Sequence, residues 1–188
     1  MKKISPNLLG FIIALFVTII SLWIYFNYIQ KKNYQLIDNP TQQTLQVQIG
    51  DNQYIVAPGQ QLQISLPTGQ YNIQTQTLND TLSYPQTSFE VTKQRGLINP
   101  TLATYYIYGM PYGPRVNKDS IFENLKTTFK GKTYSGDLQI DSAVYTENFY
   151  YNMNENFPGL TIKSENEALR KKIFRENDFK QFYFKNYE

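Results

Sequence analysis

The feature that most constrains this chain is a gap, because no charged residue stands between Lys3 and Lys31. Inside that gap Leu8 to Ile29 reads LLGFIIALFVTIISLWIYFNYI, and Thr18 and Ser21 are its interior polar residues. About 22 residues rising about 1.5 Å each span roughly 33 Å, close to the thickness of a hydrocarbon core. Trp23, Tyr25 and Tyr28 gather at the C-terminal end, where amphipathic rings favour the headgroup region, and Lys31 and Lys32 close the segment. A cleaved signal peptide would have a shorter apolar stretch ending in small residues, whereas this one ends in Trp-Ile-Tyr-Phe-Asn-Tyr. The reading is an uncleaved transmembrane helix over 8–29, with 1–7 as a short cytoplasmic tail and 30–35 as a linker. Lys2 and Lys3 keep the tail inside, so the rest of the chain is expected in the periplasm, anchored in a bacterial inner membrane.

Composition narrows the chemistry of what is attached. The 188 residues include neither cysteine nor histidine, so disulfides, thiolates and the commonest general base and transition-metal ligand are absent. Lys2, Lys3, Lys31 and Lys32 account for four of the 18 basic residues, leaving 14 to face 15 acidic ones beyond the anchor. A nearly neutral body lacks the clustered Lys and Arg of a nucleic-acid footprint. Tyr (16) far outnumbers Trp (1), which suits a polar-faced β-protein.

From Leu36 the apolar period changes to two. Leu45, Val47 and Ile49 alternate with Gln46 and Gln48, and Leu62, Ile64 and Leu66 with Gln and Ser. Tyr54–Ala57, Tyr71–Thr77, Phe89–Val91 and Tyr105–Ile107 continue the pattern, punctuated by Gly50-Asp51, Pro58-Gly59 and Pro67-Thr68-Gly69 turns. Such spacing predicts an antiparallel sandwich-like module over 36–113. The stretch Leu45–Gln76, with its Pro58-Gly59 turn and Leu66-Pro67-Thr68-Gly69-Gln70-Tyr71 hairpin, resembles the small β-sandwich modules known as PEGA and their transthyretin-like relatives. That resemblance implies an envelope-facing binding or spacer module and brings no catalytic residues with it. A second resemblance covers residues 2–28. Gly10-Phe11 followed by Ile-Ile-Ala-Leu looks like the processing site of type IV pilin-like proteins, but Leu15 stands where that family places a glutamate.

Pro111-Tyr112-Gly113-Pro114 is a rigid break, and 114–188 reads as an α+β extension packed on the first module. Ser120-Ile121-Phe122-Glu123 has capping-box spacing and Gly131 a terminator's position, so a short helix is expected over 121–129. Leu138–Ile140 and Tyr145–Tyr151 read as strands. Ser164-Glu165-Asn166-Glu167 repeats the cap and predicts a second helix, with Leu169 and Ile173 inward and Arg170, Lys171, Lys172 and Arg175 on a solvated face. The tail Phe179–Phe184 is too aromatic to stay in water and should pack back.

The best candidates for contact with a partner are Tyr105, Tyr106, Tyr108 and Tyr112, because Gly109-Met110-Pro111 would present their rings on a loop. Phe149-Tyr150-Tyr151-Phe157 and Phe179-Phe182-Tyr183-Phe184 form further aromatic clusters. Acidic pairs such as Asp137/Asp141 or Glu147/Glu155 are the raw material of a carboxylate hydrolase, and Asn117–Ser120 is too poor in oxygens for a calcium loop. The combined expectation is a single N-terminal transmembrane helix plus a mainly-β domain with two short helices in its C-terminal half. It is expected to serve as a non-catalytic binding or scaffold protein of the cell envelope, with no cofactor or metal. Its partners would be the membrane and an envelope protein or glycan, and not nucleic acid. The rival readings are a pilin-like or secretion-apparatus subunit and a carboxylate-dependent glycan hydrolase.

Overall fold

The computed structural model describes residues 6–26, 34–79, 82–93, 95–112, 124–157 and 168–187. They fall into two compact units, residues 1–33 and 34–188. The first carries helix α1 (Pro6–Ile24), continued by a π turn at Tyr25 and Phe26. Proline suits the first helical position, where its missing N–H has no partner to lose. Every side chain from Asn7 to Phe26 is exposed, although Asn7–Ile24 has a mean hydropathy of 2.4. This is one helix long and apolar enough to cross a membrane, its 19 residues spanning roughly 29 Å. Residues 27–33, which hold the expected end of the span and most of the 30–35 linker, lie outside the described residues, while Tyr34 and Gln35, also expected in the linker, are buried and begin the first strand.

The second unit is mainly β. Its strands are β1 (Tyr34–Asp38), β2 (Leu45–Ile49), β3 (Asn52–Val56), β4 (Gln61–Ile64), β5 (Gly69–Thr77), β6 (Thr87–Val91), β7 (Arg95–Ile98), β8 (Tyr105–Tyr112), β9 (Lys126–Phe129), β10 (Lys132–Ser135), β11 (Asp137–Asp141), β12 (Tyr145–Thr146) and β13 (Ala168–Arg175). Helix α2 (Glu176–Tyr187) follows β13 directly. A central sheet runs β12-β7-β1-β4, a second β3-β2-β5-β6 and a third β11-β8-β13, while β9 and β10 form a hairpin. The pairings between these strands are antiparallel except that β1 lies parallel to β7, with Leu36 opposite Leu97 and Ile37 opposite Ile98, and Tyr151 adds a parallel bridge to Lys172 of β13.

Alternation sorts these strands into layers. Ile37, Ile64 and Ile98 from the central sheet share a core cluster with Leu45, Val47, Ile49, Val56, Ile73, Phe89 and Val91 of the second. Leu36 and Leu97, on the opposite face, join Tyr105, Ile107 and Ile173 of the third sheet. Tyr106, Tyr108 and Phe174 then face Tyr134 of β10 and Phe179 and Tyr183 of α2. Because β1 is covered on both faces, all five of its residues are buried, polar Gln35 and Asp38 included. Gln35 meets that burial by bonding both the amide (2.8 Å) and the carbonyl (3.3 Å) of Leu66.

The second half departs from two expectations. Residues 126–135 form a hairpin rather than a helix, with Lys130 at φ 48° and Gly131 at φ 77°. Two positive φ values are what a type I′ turn demands, and Thr127, Thr128 and Thr133 favour the flanking strands. Residues 121–123 of the expected helix lie outside the described residues. Likewise 168–175 is strand β13, paired with β8 over its whole length, and the capping residues 164–167 lie outside the described residues. Adjacent Ile173 and Phe174 bury on opposite faces of the third sheet, a division that a strand makes between successive residues. A helix does form at α2, where Phe179, Phe182 and Tyr183 give the i, i+3, i+4 stripe. Glu176 pairs there with Lys180 (2.7 Å) and with Lys130 of the hairpin (2.8 Å).

Strands from both sides of Pro111 share these sheets: β12 extends the central one, and β11 and β13 flank β8. Pro111 and Tyr112 are the last residues of β8, opposite Leu169 and Ala168. Gly113 and Pro114 lie outside the described residues.

Candidate functional site

The tyrosine group expected on a loop is instead the spine of β8. Tyr105 and Tyr106 are 1% exposed and Tyr108 is 0% exposed. The expectation of an exposed aromatic platform is therefore corrected at these three positions. An eight-residue strand paired on both sides has no outward face when a sheet covers one side and a helix the other. Tyr106 stacks on Phe179 at 4.8 Å with planes 13° apart, and Tyr108 meets Phe179, Phe182, Tyr183 and Tyr187. The Tyr112 side chain lies outside the described residues. Glycine permits part of this packing: a Cβ on Gly136, whose φ is 99°, would lie 2.4 Å from the Tyr108 hydroxyl.

Burying a phenol disfavours its ionised form. Burial, the nearby Tyr187, Tyr183 and Asp137, and a hydrogen bond with Tyr187 push Tyr108 far above its ordinary value. Tyr105 is raised well above its own, first by burial and then by the Asp38 carboxylate, against the opposing pull of Arg175.

The polar constellation the fold does assemble begins with Asp38, at the end of β1. It is fully buried and accepts hydrogen bonds from Tyr105 Oη (2.5 Å) and Arg175 Nε (3.0 Å), with a further bond from the Arg175 terminal nitrogen. That terminal nitrogen also donates to the Gly59 carbonyl at 2.8 Å. The group latches β1, β8, β13 and the 57–60 turn together, and the Asp38 hydrogen bond holds Arg175 above its ordinary range. Beside it opens a cavity of about 460 Å³, lined by Pro40, Gln42, Thr104, Tyr105, Arg175 and Asp178 among others. Its size falls within the range of small-ligand sites. Sequence reasoning missed both charged members. For Asp38 the available signal was a lone acid closing an apolar strand. Arg175 was placed on a solvated helix face.

The other basic residues of β13 are also engaged. Lys172 is buried and donates to the carbonyls of Asn152 (2.8 Å), Met153 (3.1 Å) and Glu155 (2.5 Å). Arg170 donates to Tyr151 Oη at 2.8 Å, and Lys171 lies 3.2 Å from Asp137. The acidic pairs are drawn into the fold in the same way. Asp141 accepts from the Ala143 amide (2.8 Å), and Glu155 accepts from Arg95 (2.6 Å), Tyr34 (3.2 Å) and the Asn152 amide (2.9 Å). Glu147 accepts from the Thr92 hydroxyl, the Lys93 amide (2.9 Å) and Tyr145 (3.1 Å). Partial burial pulls its pKa upward, yet these hydrogen bonds together outweigh that and hold it below the usual carboxylate range. Compared with family models, curated proteins and solved structures, the chain shows no match.

Proposed function

We propose that this is a single-pass protein of a bacterial inner membrane that holds a β-sandwich-like domain in the periplasm as a binding or scaffold module. The observation that carries the reading is α1, an uncharged helix of membrane-spanning length whose apolar side chains are exposed all round. A surface of that kind needs lipid around it. Lys2 and Lys3 on a short tail favour the orientation with the domain outside. The core shared by the central and second sheets supports the sandwich-like description, and the strands formed within 45–76 are in keeping with a PEGA-like module. The domain's outward surface suits a neutral partner, since Gln46, Gln48, Gln53, Gln74 and Gln76 face away from the core.

The test is fractionation of the full-length protein, with alkaline carbonate washing and protease treatment of spheroplasts. The protein should stay in the carbonate-washed membrane, and protease added outside should remove the domain and leave a fragment of a few kilodaltons. Release into the supernatant would refute the anchor, and protection until the membrane is broken would refute the orientation.

A further inference from the structure

The second sheet ends on β3, and the character of that edge identifies a partner. The β2–β3 hairpin turns through two residues, with Gly50 at φ 57°, and Ile49 stands opposite Asn52. In an antiparallel ladder closed this way, Asn52, Tyr54 and Val56 direct their backbone groups at β2, and Gln53 and Ile55 direct theirs outward. Among the described residues no hydrogen bond reaches the outward groups of Gln53 or Ile55. Ile55 is 48% exposed, a large apolar side chain on an open edge.

Edge strands are ordinarily blunted by charge, proline, a bulge or shortness. Other edges in this domain follow that rule or are covered: β6 carries Glu90, β11 carries Asp137 and Asp141, β12 is two residues long, and the outer side of β13 exchanges backbone bonds with Tyr150 and Tyr151. By contrast β3 reads Asn-Gln-Tyr-Ile-Val, without charge or proline. The four-residue connection from β3 leads into β4, Gln-Leu-Gln-Ile, which is likewise uncharged and forms an edge of the central sheet.

We propose that β3 pairs with β3 of a second copy of this chain, joining the two second sheets into one eight-stranded antiparallel sheet. The register follows from the strand. Centring the pair on Tyr54 sets Gln53 opposite Ile55 of the second copy and Ile55 opposite its Gln53. All four outward groups of the two residues are then used on each copy, and the two Tyr54 side chains meet across the twofold axis. The same register sets Asp51 opposite Ala57 of the other copy, which keeps the two Asp51 charges at opposite ends of the seam. A neutral edge fits a neutral edge, whereas a strongly charged peptide would find no counter-charge on it. The outer face would become a continuous carboxamide surface, because Gln53 and Ile55 already neighbour Gln48 and Gln46. Pairing gives the scaffold reading its partner and rests on that reading only for the shared membrane that concentrates the copies; carbonate extraction tests the anchor separately.

The absence of cysteine makes the test direct. Opposed positions that exchange no backbone bonds lie about 4.5 Å apart at Cα, within disulfide reach. Full-length Tyr54→Cys in native membranes should therefore form a disulfide-linked homodimer when oxidised with diamide. Gln48→Cys, on the neighbouring strand, should cross-link at least tenfold less. Because Tyr54 packs partly against the core, the double variant Gln53→Cys/Ile55→Cys serves as a second reporter. Adding Ile55→Pro to Tyr54→Cys removes an outward N–H without touching the β2 ladder, and should suppress the homodimer about tenfold. Near-UV circular dichroism of the reduced variants establishes that each is folded. Folded variants that give no homodimer at positions 53–55, equal cross-linking at Gln48, or an adduct to a different protein would each overturn the pairing.

Discussion

Replacing Tyr108 by Phe should weaken the domain at neutral pH and strengthen it, relative to the natural chain, in strong alkali. The Tyr108 ring is 0% exposed and its hydroxyl donates to the Ser135 carbonyl at 3.0 Å. Losing that bond and its contact with Tyr187 should cost about 1–2 kcal/mol near neutrality. Burial first, then the nearby Tyr187, Tyr183 and Asp137, hold the phenol far above its ordinary 10.0. The native state thus keeps this proton after the unfolded chain has released it. Above about pH 10 the unfolded state binds fewer protons, and stability falls by about 1.4 kcal/mol per pH unit on account of this one group. Its contribution is fully present below pH 10 and is lost as pH rises. The accumulated loss reaches about 1.4 kcal/mol near pH 11, so the stability curves of the two proteins should cross within roughly half a unit of that point. Other tyrosines and the lysines titrate in both proteins and largely cancel in the difference. The measurement is urea unfolding in detergent, followed by far-ultraviolet circular dichroism from about pH 7 to about pH 12. A difference that stayed constant across this range would show that Tyr108 ionises alike in both states, and the burial argument would fail.

Phe179→Ala, at a side chain 0% exposed and stacked on Tyr106, should cost about 3–5 kcal/mol in the same assay, and a cost under about 1 kcal/mol would mean that α2 is not docked as described. Gly96→Ala would bring a Cβ within 2.4 Å of the Tyr145 ring and should destabilise by about 1–3 kcal/mol; adding Tyr145→Ala should remove the specific penalty for the new Cβ, which a double-mutant cycle would reveal. Glu147 is held below the usual carboxylate range, so its contribution is present above about pH 4.5 and lost as pH falls through its folded value. Glu147→Gln should therefore flatten the acid limb of the stability profile, and an unchanged acid midpoint and slope would contradict this.

Much of the first half was legible because its signals are local. The charge-free run could be recognised from its length and composition, and α1 is a helix of membrane-spanning length. The alternation around Leu45, Ile64 and Ile73 emerged as β2, β4 and β5 because one side of each strand is buried and the other is wet. In the second half the local signals competed. Leu169 and Ile173 are spaced as well for a helix as for a strand, and Gly131 suits a helix end as well as a type I′ turn. The eight-residue partner offered by β8, 56 or more residues earlier in the chain, favoured the strand.

By itself the sequence determined a helix long and apolar enough to cross a membrane, the β character of the domain and the inward packing of the aromatic tail. Each depends on periodicity or composition within a few turns of the chain. Tertiary structure alone decided that Tyr105, Tyr106 and Tyr108 are core, that Asp38 meets Arg175, and that β3 is left as an open edge. Those outcomes depend on which segments, far apart along the chain, cover each face and edge. Once a sheet and a helix enclosed β8 from its two sides, residues that composition marks as ligand-binding aromatics had no surface left to present.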